Sequence, residues 1–98
     1  PVVYLDFNQI DHATAEILSS GLHATLELHA EKYNIELVQI ELKAKFSELI
    51  VKIHKKHGPV ILIVDEYDKP ITDLLKNMPE AERSREILRG FYGTIKGS

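Results

Sequence analysis

Cysteine is absent from the 98 residues. A disulfide scaffold and a thiolate metal centre are thereby excluded. Positive charge is not in excess either: 12 Lys and Arg against 15 Asp and Glu leave a net charge of −3. That balance offers no electrostatic argument for nucleic acid or an anionic membrane as partner. Aromatics are sparse, and nothing interleaves Tyr4, Phe7, Tyr67, Phe91 and Tyr92 with basic residues as a base-stacking platform requires. The longest apolar run is Val60 to Val64, far short of the roughly 20 residues a membrane span needs. No basic segment leading into an apolar one opens the chain, so no signal peptide is read and a cytoplasmic location is expected. What remains is 44% hydrophobic and 28% charged, the profile of one globular domain or part of a larger one. The first residue is Pro1, not Met, and an excerpt of something longer is expected.

PVVYLDF, Pro1 to Phe7, is short and rich in β-branched and aromatic residues, and reads as a strand. From about Asp11 to Tyr33 the period becomes helical, with Leu18, Leu22, Leu26, Ala30 and Tyr33 on one face. Asp11 is the expected N-cap and Asn34 the expected stop. Gly21 weakens this helix by about 1 kcal/mol relative to Ala. NIELVQI fits either a short strand or a loop. Leu42, Phe46, Leu49, Ile50 and Ile53 mark a second helix. Basic residues, Lys52 and His54 to His57, close it before Gly58-Pro59. VILIV, Val60 to Val64, is continuously apolar, which predicts a strand covered on both faces, as in a parallel sheet. Pro70 opens a short helix and Pro79 another, whose apolar stripe is Ile87, Leu88, Phe91, Tyr92 and Ile95. The order predicts an α/β unit of two parallel strands with a helical crossover.

The second strand runs straight into Asp65 and Glu66. Ligands of parallel α/β sheets bind beyond the carboxyl ends of the strands. In extended backbone, neighbouring side chains point apart, so two adjacent carboxylates can serve different tasks. One can hold hydrated Mg²⁺ while the other faces an attacking water. An apolar strand followed by Asp and Glu is the pattern of a Walker B motif. The plain alternative is that the acids merely end the strand and start the next helix.

DEYDKPI, with REILRGFYGTIK downstream, resembles the predicted AAA-ATPase-like family. PVVYLDF and FSELIVKIHKKHG resemble the family's preceding strand and intervening helix, so the resemblance spans nearly the whole chain. It implies a fragment of a P-loop (ASCE/AAA-like) three-layer α/β fold, with residues 1–98 a single partial domain carrying its outer two strands. It implies that Asp65 is the residue associated with Mg²⁺ and nucleotide, and Glu66 the catalytic base. It also implies ATP and Mg²⁺ as ligands of the full-length protein. Asp68, Lys69 and Pro70 match the motif without an assigned step, and Asp68 is favoured as a helix cap. The phosphate cradle G-x-x-x-x-G-K-[ST] occurs nowhere in the 98 residues. The isolated chain is therefore expected not to bind ATP-Mg²⁺. With the sensor strand also missing, self-association through the exposed Val60 to Val64 edge is expected.

The rival is a non-catalytic α/β module for self-association or partner binding. A nuclease pattern fails by one position, because Tyr67 stands where an acid should precede Lys69. His54 and His57 lie three apart but lack a third ligand, and a solvated basic helix end is preferred. Arg83, Arg85 and Arg89 read as surface charges pairing with Glu80, Glu82 and Glu86, in preference to an arginine finger.

Overall fold

The computed structural model describes the backbone of residues 1–66 and 78–97, and the side chains of 1–66 and 82–93. Five elements follow in order: β1 (Val2–Asp6), α1 (Ala15–Lys32), α2 (Leu42–His57), β2 (Ile61–Asp65) and α3 (Met78–Gly97). The strands pair in parallel, with Val2 opposite Ile61 and Asp6 opposite Asp65. Two further bonds frame this ladder: Ile61 N–H donates to the Pro1 carbonyl and Phe7 N–H to the Asp65 carbonyl. β2 thus starts at Ile61, not Val60, and takes in Asp65. The expected Pro70 helix and Asp68 cap lie outside the described residues.

α1 forms because its apolar residues recur every four positions. Leu18, Leu22, Leu26 and Ala30 are buried. Its cap is Thr14 instead of Asp11: the Thr14 hydroxyl accepts from Ile17 N–H, while Asp11 accepts from Ala13 N–H. The chain first turns after β1 and sinks Ile10 into the core, which delays the helix by one turn. That turn also explains Gly21. A Cβ there would lie 2.9 Å from Ile10 Cγ2 and 3.3 Å from the Asp11 carbonyl oxygen. Asn34 ends the helix as expected, in the left-handed region at φ 56°.

NIELVQI is a loop. The N–H groups of Val38 and Gln39 donate to the Glu48 carboxylate of α2, which a strand partner would otherwise take. Lys52 bridges Glu48 and the Glu36 carbonyl, and Lys56 donates to the Asn34 carbonyl. His57 Nε2 binds the Tyr33 carbonyl. The basic end of α2 therefore pins the loop and is more than a solvated helix terminus. Glu48 is pulled down to about 2, first by the Lys52 ammonium and then by the Gln39 N–H.

The three helices pack against one another pairwise. Their core includes Phe46 of α2 and Phe91 of α3, stacked at 4.2 Å between centroids. Val3 and Leu5 of β1 are fully buried against it, with Leu62 and Val64 of β2 beside them. The opposite face is open: Val2, Tyr4, Ile61 and Ile63 are 36% to 60% exposed. The continuous apolar run had predicted cover on both faces. Among the described residues, helices cover one.

Candidate active site

Both acids sit at the carboxyl end of β2. Asp65 is the last ladder residue, and its carbonyl is held by Phe7 N–H. Its side chain shares the open face with Tyr4, two residues before its register partner Asp6. That diagonal relation lets an aromatic side chain reach across the pair. The Tyr4 hydroxyl donates to Asp65 Oδ2 at 2.9 Å. The phenol's ionisation is pushed up, first by this hydrogen bond. Asp6, directly opposite Asp65, turns its carboxylate to Asn8 N–H at 2.9 Å. Two like charges face each other across the strands, and each has its own local donor.

Glu66 behaves differently from the expectation. Alternation holds through Asp65 and stops there, because Glu66 leaves the strand with φ 55°. For a residue without the freedom of glycine or asparagine this is an uncommon conformation. Glu66 is exposed. A backbone turn at Glu66, not strand pleating, follows Asp65.

β1 is anchored from its outer side by α1 and by Tyr33, the residue that follows it. The Tyr33 hydroxyl accepts from Val2 N–H and donates to the Val2 carbonyl, at 2.8 and 2.9 Å. Tyr4 N–H donates to His29 Nε2 at 3.1 Å. His29 Nδ1 is therefore the donor to the Thr25 carbonyl, at 2.9 Å. Sequence reasoning named neither Tyr4, His29 nor Tyr33 for this region. Only the strand register, which places Tyr4 diagonal to Asp65, could have signalled the first.

The other candidates fall elsewhere. Arg83 pairs with Glu16 of α1, and the Glu80 side chain lies outside the described residues. Arg85 pairs with Glu82 and Arg89 with Glu86, as expected of surface charges. Among the described residues no group of three His, Cys, Asp or Glu side chains is placed to hold a metal ion. An open depression between α1 and α3, lined by Ala15, Glu16, Ser19, Arg83, Glu86 and Ile87, includes neither acid.

A family model described as Predicted AAA-ATPase matches residues 1–98. The chain belongs to the predicted AAA-ATPase family. Membership implies a P-loop α/β fold, of which β1, β2 and the three helices are a part. The chain is also 35% identical over 99 residues to a protein of Azotobacter chroococcum mcd 1, described as an uncharacterized protein in the vnfD 5′ region. All of this chain is covered, but it spans 19% of that relative's length. No solved structure matches significantly. Among the described residues of this AAA-ATPase-family chain, no helix is long and apolar enough to cross a membrane.

Proposed function

We propose that this chain supplies the acidic half of an ATP-hydrolysing site, with Asp65 and Glu66 as its Walker B pair. The observation that carries the reading is their position at the carboxyl end of a parallel strand, in a chain matched over its length by an ATPase family. Asp65 is suited to Mg²⁺: it is a hard oxygen donor, exposed, on a backbone fixed by the ladder. Among the described residues no group of three ligands forms, so it would hold the ion jointly with nucleotide phosphates. When bound, Mg²⁺ neutralises charge on the phosphates. Glu66, turned out of the strand, would take the proton of the attacking water. Since the phosphate cradle is not among these 98 residues, turnover belongs to the full-length protein. The cytoplasm, where ATP is plentiful, is the compartment this implies.

The test uses the full-length protein. Glu66→Gln keeps ATP binding and lowers turnover by about 10²–10⁴-fold, the usual contribution of a positioned base. Asp65→Asn weakens Mg²⁺-dependent binding as well. Turnover at the wild-type rate in Glu66→Gln would refute the catalytic role.

A second reading, association without chemistry, is favoured by the sheet edges. Tyr33 and His29 occupy the outer edge of β1. Among the described residues no strand pairs with β2 on its other side. We propose that this open edge is where a second copy docks when the chain is isolated.

A further inference from the structure

We propose that Tyr4 is a positioning residue for Asp65, acting through its hydroxyl to aim the carboxylate; this rests on the Walker B reading above. Asp65 stands on an open face, where a short carboxylate would otherwise sample several rotamers. Tyr4 removes that freedom. Its hydroxyl engages Oδ2 at 2.9 Å, and among the described residues Oδ1 has no partner. One oxygen is thus used for aim and the other is left for a ligand.

The aiming group is itself fixed at its base. Tyr4 N–H is bound by His29 Nε2, and His29 is oriented by the Thr25 carbonyl of the same helix. A relay therefore runs from α1 through the β1 backbone and across the sheet to the acid. Neighbours on that face, Val2, Ile61 and Ile63, are apolar and offer Asp65 no competing donor. Asp6, the facing carboxylate on β1, accepts from Asn8 N–H, while the Tyr4 hydroxyl goes to Asp65. Phenylalanine at position 4 would fill the same space without the aim.

The experiment measures Mn²⁺ binding to the full-length protein at saturating ATP, by electron paramagnetic resonance, as a stand-in for Mg²⁺. Tyr4→Phe is expected to weaken Mn²⁺ by about three- to tenfold, the size of one hydrogen bond to a charged group at a wet site. ATP affinity in EDTA and the melting temperature should stay at wild-type values. With excess Mg²⁺, kcat should recover while the half-saturating Mg²⁺ concentration stays raised. In an Asp65→Asn background, Tyr4→Phe should have no further effect, because its action runs through that carboxylate. Unchanged Mn²⁺ affinity in Tyr4→Phe, with Asp65→Asn weakened, would overturn the role of Tyr4 alone. An equal loss in both backgrounds would overturn it too. Unchanged affinity in Asp65→Asn would overturn the Walker B reading and the Tyr4 proposal with it.

Discussion

Replacing Glu66 by Gly separates a structural acid from a functional one. Glu66 holds φ 55°, in the left-handed region. A side chain there costs about 1–2 kcal/mol, through the contact of Cβ with the following carbonyl. Glycine removes that cost, while its freer unfolded chain offsets roughly 0.4–1 kcal/mol. Glu66 is exposed, so no buried contact is lost. The balance is a gain of about 0.5–1 kcal/mol, or a few degrees in melting temperature for a domain of this size. Glu66→Gln keeps the Cβ and should leave stability unchanged. Urea unfolding of the 98-residue chain, followed by circular dichroism, measures the difference, and the slope should not change between variants. A loss of 1 kcal/mol or more in Glu66→Gly would refute the reasoning, by showing that the carboxylate holds the segment in place. A gain would mean that the glutamate is retained against the interest of stability, as strained functional residues are.

Two further outcomes follow from the loop clamp and the sheet edge. Glu48 has a folded value of about 2 against an ordinary 4.5. Its interactions therefore add stability above the ordinary value, and that contribution is lost as pH falls from about 4.5 towards 2. Glu48→Gln should flatten this part of the pH–stability curve, and an unchanged acid limb would show that the clamp contributes nothing. The isolated chain should form a two-fold dimer in sedimentation equilibrium at micromolar concentration. A monomer with slow amide exchange along β2 would contradict docking at that edge.

Helix periods were legible because four-residue spacing has no strand equivalent: Leu18, Leu22, Leu26 and Ala30 lie buried as read. Asn34 and Gly58 were legible as stops because few residues accept positive φ. Parallel pairing followed from two apolar segments joined by helices. The register did not, because Val60 and Ile61 are equally apolar, and the ladder's end bonds to Pro1 and Phe7 decide between them. Thr14 was missed because Asp11 is an equally good cap, and only the tertiary burial of Ile10 moves the start. Exposure of Ile61 and Ile63 was hidden because a strand's own sequence does not say what covers it. At the candidate site, the place of the acids at the carboxyl end of the second strand was legible. The Tyr4 contact and the backbone turn at Glu66 depend on register and dihedral angle, which a run of residue types does not encode.

The seal that Tyr33 and His29 place on β1 also bears on the proposed self-association. A sheet with two free edges can recruit copies indefinitely and grow into a fibre. Among the described residues β1 has less edge to offer than β2, because the backbone groups of Val2 and the N–H of Tyr4 are already taken. Two copies docked at β2 would use up the edge each offers the other, and a third would meet only the partly sealed β1. With the docking proposed above, strand-mediated association would stop at two, and Tyr33 and His29, which anchor β1, would also act as a chain terminator against polymerisation.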